Sequence, residues 1–189
     1  MRTGVLLALI FACGGCGDRT LPPLASASRA GRTDEIRKLV ASGADPNERS
    51  GVNGWTPLMH AIHKHQIGSA GALLDAGADV NARGRDGSTA LMMAAGYGYE
   101  DMVALLLARG ADAHLQLSDG ENALTYAVLG VNDIDRFTAV DCQGGAIRAL
   151  VDHVPDLKLG GSKRMMRQIA ATKLKTCAGF AQLVGSRFP

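Results

Sequence analysis

Large rings are scarce in this chain: 4% of its 189 residues are aromatic, with one tryptophan, three tyrosines and four phenylalanines. That leaves no aromatic platform on which bases could stack, and the 20 Lys and Arg are spread along the chain against 18 Asp and Glu, so no basic stripe marks a nucleic-acid face. Long apolar runs are missing too. The one at Gly4–Ala12 falls far short of the roughly 20 residues that span a bilayer as a helix. Catalytic signatures are absent: there is no Gly-x-Ser-x-Gly, no His-Glu-x-x-His and no phosphate-cradling Gly-x-x-x-x-Gly-Lys. The one Cys-x-x-Cys, Cys13 to Cys16, sits beside the apolar run near the N-terminus. No enzyme, cofactor or resident metal is therefore expected, and the composition, rich in Ala, Leu and Gly, suits thin helical layers.

A repeat is what the chain does have. Gly54, Gly87 and Gly120 are spaced 33 and 33 (87−54, 120−87), and so are Leu58, Leu91 and Leu124, and Ala61, Ala94 and Ala127. The segments Gly43-Ala44-Asp45, Gly77-Ala78-Asp79 and Gly110-Ala111-Asp112 recur at the far end of the unit. A fixed period of this length marks stacked supersecondary units. In the copy from Gly87 to Asp119, Leu91, Ala94 and Ala95 lie at i, i+3, i+4 on one short helix. A second helix follows from Tyr99 with Met102, Val103, Leu105, Leu106 and Leu107, and Gly110 lies past its end. Two helices this short need neighbours on both sides. The polar stretch from Asp112 to Asp119 predicts a protruding turn or hairpin.

The residues Gly54-Trp55-Thr56-Pro57-Leu58 and Gly77-Ala78-Asp79-Val80-Asn81-Ala82 resemble the ankyrin repeat, and the resemblance covers about Leu24 to Leu159. It implies an all-α solenoid of four to five helix-turn-helix repeats with protruding hairpin turns, used to bind another protein. The boundaries are 24–53, 54–86, 87–119 and 120–160, with a degenerate cap at 161–189. In the family a threonine starts the first helix and ties the turn to the neighbouring repeat. Here Met59 stands where histidine is usual, Ala90 and Ala123 replace proline, and His65 replaces the glycine between the two helices, which predicts a tighter or displaced turn. Carrying the family's variable positions across names a groove of Trp55, His60, His63, Lys64, Ser88, Met93, Tyr97, Glu121 and Tyr126, with His60, His63 and Lys64 expected to be exposed. The alternative for Met93 and Tyr126 is that they pack between successive first helices. His60 and His63 at i, i+3 could share a metal, but no third ligand is evident. The resemblance also admits an immunity-type inhibitor of a secreted toxin, or an envelope factor linked to oxidative-stress defence and catalase; its partner is an unidentified protein, and a monomer is expected.

Residues 1–16 read as a targeting segment: Arg2 gives the positive start, and the apolar run follows. Ile10-Phe11-Ala12-Cys13 looks like a bacterial lipobox, with Cys13 as the lipid acceptor and Cys16 the second choice. A plain signal cleaved near Ala25-Ser26-Ala27 is the alternative. A periplasmic protein, lipid-anchored to the outer membrane through the tether 17–23, is the expectation. In the first repeat, Thr33 or Asp34 is the candidate N-cap of the second helix, with Ile36, Leu39 and Val40 its buried stripe. The fourth repeat breaks the period: Asp156 follows Asp112 by 44 (156−112), so about 11 residues are inserted (44−33), within 131–145. Asp133, Asp135 and Asp141 there lack the glycine and terminal glutamate of a calcium loop. Cys142 in the insert and Cys177 in the cap suggest a disulfide in an oxidising compartment, worth ~3–4 kcal/mol for a loop of that length; two thiols are the alternative.

Overall fold

The computed structural model describes residues 21–130, 143–164, 167 and 169. The targeting segment with Cys13 and Cys16, the insert with Cys142, and nearly all of the cap with Cys177 lie outside them.

The described residues form four helix pairs: α1 Pro23–Arg29 with α2 Thr33–Ala41, α3 Pro57–His63 with α4 Ile67–Asp75, α5 Ala90–Tyr97 with α6 Glu100–Ala108, and α7 Ala123–Leu129 with α8 Gly144–His153. The first helices stack in one row (α1 on α3, α3 on α5, α5 on α7) and the second helices in another (α2 on α4, α4 on α6, α6 on α8). This is the helical solenoid that the period predicts. The inner row is covered on nearly every side, so every residue of α3 and of α5 is buried. Only small or slim residues allow that approach, hence the alanines at 61, 94 and 127, all fully buried. Outer helices bury one stripe, such as Met102, Val103 and Leu106 in α6 or Ile147 and Leu150 in α8.

Side chains at the N-termini of the inner helices stand in for missing backbone partners. The Met59 N–H donates to Thr56 Oγ1 at 3.4 Å, Met92 N–H to Thr89 Oγ1 at 3.3 Å, and Thr125 N–H to Asn122 Oδ1 at 3.1 Å. Thr56 and Thr89 thus cap their own helices. In the fourth pair, Asn122 Nδ2 also donates to the Lys158 carbonyl at 2.8 Å, and Thr125 Oγ1 donates to the Gly160 carbonyl at 2.6 Å, so this N-terminus holds the next segment in place. The outer helix α2 differs from expectation. Its cap is Arg32, with no side-chain bond, and Thr33 begins the first turn. Asp34 and Glu35 favour that turn through its partial positive charge.

Between repeats, the fingers are tight hairpin turns, with antiparallel bridges Ser50 to Trp55 and Arg83 to Thr89. Gly84 N–H donates to the Ser88 carbonyl at 2.8 Å, and 33 residues on, Leu117 N–H donates to the Glu121 carbonyl at 2.8 Å. The first finger holds one more residue than these, which accounts for Gly77 following Gly43 by 34 (77−43). Asparagines join the units at their far ends: Asn47 Oδ1 accepts from Asp79 N–H at 2.7 Å, and Asn81 Oδ1 from Asp112 N–H at 2.8 Å. The third such position is His114, which instead faces Asp156 at 3.9 Å.

The turn at His65 is neither tighter nor displaced. His65 takes φ 56°, alongside 77° for Gly31 and 75° for Gly98 at the matching places. A side chain there is unfavourable by roughly 1–2 kcal/mol, so something must hold it. At the other two junctions the glutamine that opens the next outer helix lies directly over the glycine: Gln66 on Gly31 and Gln143 on Gly98. At the middle junction that covering residue is Tyr99, and its ring stacks on His65 with centroids 3.9 Å apart and planes 10° from parallel. His65 Nε2 is further held by Asp101 at 2.8 Å. The insert also ends sooner than 145, because Gly144 and Gly145 belong to α8; Gly145 lies against the Glu100 side chain, where a Cβ would collide.

Two outcomes follow for equilibrium unfolding in denaturant. Tyr99→Gln destabilises the protein, and in a His65→Gly background the cost falls by about 0.5–1.5 kcal/mol, the size of an aromatic stack; equal costs in both backgrounds would mean the stack contributes nothing. Asn122→Ala, which removes a helix cap and the bond to Lys158, costs about 2 kcal/mol, whereas Asp34→Ala on the exposed face of α2 stays within about 0.5 kcal/mol.

Candidate protein-binding groove

The fingers and the inner helices bound one face, and the groove residues fall on it at two depths. Trp55, Lys64, Glu121 and Tyr126 are half-buried. His60, His63, Ser88, Met93 and Tyr97 are buried, at 4%, 5%, 3%, 5% and 7% exposure. The expectation that His60 and His63 are exposed is therefore corrected. Besides the helices around α3, the Trp55 ring packs edge-on to His60 (centroids 5.5 Å) and tilted against His63 (5.1 Å), and the Tyr97 ring packs on His63 (5.8 Å). Ser88 is likewise part of the finger: its Oγ donates to Asp86 Oδ1 at 2.7 Å.

Rings continue from Trp55 across two repeats. His63 Nδ1 lies 2.9 Å from the Tyr97 hydroxyl, Tyr97 stacks on Tyr99 (5.4 Å), and Tyr99 covers His65. In a chain with so few aromatics, this concentrates Trp55, Tyr97 and Tyr99 on one path. His60 lies at its first-finger end. Its Nε2 is 3.0 Å from Ser50 Oγ, while its Nδ1 has no hydrogen-bond partner among the described residues. Burial, then the nearby Arg29 and His63, push the His60 imidazole down to about 4, so it is neutral at pH 7.

At the other end, Tyr126 carries a different environment. Burial, followed by the carboxylates of Glu121, Asp86 and Asp119, pushes its phenol up to about 12. Burial and Asp119 raise the Glu121 carboxyl in turn. Asp101, by contrast, is held below the usual range: burial opposes its ionisation, but the hydrogen bonds from His65 and the Met102 amide outweigh it. The face thus runs from a half-buried tryptophan over the neutral His60 imidazole to a phenol among carboxylates. Among the described residues no group of three or more His, Cys, Asp or Glu could hold a metal ion, and no helix is long and apolar enough to cross a membrane.

The contacts that the sequence reading missed are Ser50 on His60 and Tyr99 on His65, each across a repeat boundary, and Thr125 on Gly160 between the two ends of the fourth repeat. The signal that could have found the second is the pairing of the one non-glycine turn residue with the one non-glutamine 34 positions later (99−65).

A family model described as ankyrin repeats in three copies matches residues 3–84, and one described as ankyrin repeats in many copies matches residues 73–127. The chain belongs to the ankyrin-repeat family. It is 38% identical over 114 residues to an ankyrin repeat-containing protein of Treponema pallidum, a match covering 59% of this chain and 37% of that one. It is also similar to the nuclear factor NF-kappa-B p105 subunit of Gallus gallus (39% over 82 residues, 43% of this chain and 8% of that one) and to the neurogenic locus notch homolog protein 2 of Homo sapiens (33% over 128 residues, 67% and 5%). The chain spans little more than a third of the bacterial relative and under a tenth of the other two. Ankyrin repeats are a module used for protein–protein interaction and a non-catalytic scaffold, in keeping with the lack of catalytic signatures in the sequence.

For the buried ring path, Tyr97→Phe removes the bond to His63 and lowers unfolding stability by about 1–2 kcal/mol. No change in the denaturation midpoint would show that this bond carries no stability.

Proposed function

We propose that this chain binds a partner protein across the face bounded by its fingers and inner helices, with the half-buried rings of Trp55 and Tyr126 as the anchors. The observation that carries this reading is the depth of the groove residues. Rings that are half-buried on a rigid support supply contact area with little left to order on association, which is where interface energy concentrates. Lys64 and Glu121 flank those anchors as contacts at the edge. His60, His63, Ser88, Met93 and Tyr97 act beneath the surface, fixing the shape that the partner meets. The mechanism is recognition by a preformed surface, with no chemical step.

We further propose that the protein works in a bacterial cell envelope, carried through export by the apolar leader and lipidated at Cys13, and that Cys142 and Cys177 pair. The similarity to a Treponema pallidum protein supports a bacterial setting; the leader and both cysteine assignments rest on the sequence pattern.

Affinity capture from a bacterial envelope extract tests the binding face. Trp55→Ala and Tyr126→Ala should each weaken retention of a partner at least about tenfold while circular dichroism stays native, and Arg37→Ala on the exposed side of α2 should not. Equal retention by all variants would move the contact elsewhere. Mass spectrometry of membrane-extracted protein should find an N-terminal peptide beginning at an acylated Cys13; an unmodified peptide starting near Ser28 would overturn the anchor.

A further inference from the structure

Three features go unused by a binding scaffold: a buried histidine with an unsatisfied nitrogen, the exposed side chain of Val52 on the first finger, and the carboxylates around Tyr126. The first has the most to say, because its surroundings are one-sided. His60 sits on α3 beneath the first finger, among neutral and cationic neighbours. The finger supplies the Ser50 hydroxyl and the Trp55 ring. From α1 comes Arg29, and α3 itself adds His63, which is hydrogen-bonded to Tyr97 on α5. The charged neighbours that act on the His60 imidazole are Arg29 and His63, and both disfavour a second proton there.

The finger is pinned at this point. Ser50 and Trp55 exchange both backbone hydrogen bonds, at 2.9 and 3.0 Å, and the Ser50 side chain reaches His60 Nε2. Neutral imidazole meets these demands with Nε2 at Ser50 and Nδ1 buried with no hydrogen-bond partner among the described residues. An imidazolium carries an N–H on both nitrogens, so Nδ1 must hold one where no acceptor stands among the described residues, with a positive charge beside Arg29 and His63. The groups of the finger that lie against the ring are the Ser50 hydroxyl and the Trp55 indole.

We propose that the Ser50–Trp55 finger is an acid-released latch: one proton taken up at His60 opens the bridge and frees the Trp55 ring from the groove. The sign is fixed by the direction of the shift. The closed latch disfavours protonation, so its stability is fully present above the ordinary imidazole value of 6.5 and is lost as pH falls towards about 4. Over that window the ratio of open to closed finger can rise by up to roughly 300-fold, the two and a half decades between the two values. The helices of the other repeats need not melt, since each unit is held mainly by its nearest neighbours. This proposal concerns the free protein and does not depend on the binding reading; if that reading holds, acid would also take away one of its anchors.

The single tryptophan makes the test direct. Trp55 emission of the full chain is followed from neutral pH to pH about 4, with far-ultraviolet circular dichroism alongside, for the parent, His60→Gln, Ser50→Ala and Asp101→Asn. The expected result is a reversible red shift in the parent with helicity kept, absent in His60→Gln, moved to higher pH in Ser50→Ala, and unchanged over the window above pH about 5 in Asp101→Asn. Should His60→Gln fold poorly, proton NMR of the parent replaces it: His60 must titrate well below the ordinary imidazole value of 6.5, in step with the emission change. A red shift that survives in His60→Gln, a His60 that titrates near 6.5 with Trp55 unmoved, or helix loss coincident with the emission change would each overturn the latch.

Discussion

Lateral packing between short helices is the constraint on which the rest of this structure depends. None of the eight described helices exceeds 10 residues, and the inner ones are seven or eight, lengths at which a helix in water does not hold by itself. Each unit is stable because its neighbour covers it, so the residues that matter most are those that meet a counterpart about one period away. Alanines set the distance between inner helices, asparagines tie the finger ends, and glutamines cover the turn glycines. The groove is a by-product of the same stacking: it exists because fingers and inner helices repeat in register.

Where a unit departs from the pattern, its neighbour departs with it. His65 replaces a glycine and Tyr99 replaces a glutamine, and the two rings stack where the other junctions have a glutamine over bare backbone. Asn122 replaces threonine and Thr125 replaces methionine, and together they hold Lys158 and Gly160. Trp55 fills the base of the first finger and covers two histidines that a smaller residue would leave open. These compensations concentrate in the second to fourth repeats, and they give the binding face its uneven character, apolar and ring-lined at one end and acidic at the other.

Much of the fold was legible from the period alone. The spacing of Leu58, Leu91 and Leu124 identified the inner row, and the glycines located the turns, because both follow from local geometry that every copy shares. The depth of the groove residues was not legible. His60 and His63 occupy positions that one repeat by itself leaves open, and they are covered by rings from elsewhere: Trp55 at the finger base on both, and Tyr97 of the next repeat on His63. Nor was the start of α8, where Gly144 and Gly145 open the helix with Glu100 alongside. The cap of α2 was misplaced by one residue, since Thr33 and Asp34 both suit an N-cap and nothing local chooses Arg32 over them.

Hydrogen exchange of the chain, free and bound to its captured partner, tests the central claim of a binding face most directly. The account predicts slowed exchange in the finger segments around Ser50 to Trp55, Gly84 to Ser88 and Leu117 to Glu121, with the outer helices α2, α4 and α6 unchanged. Protection confined to those outer helices, with the fingers exchanging as in the free protein, would contradict it.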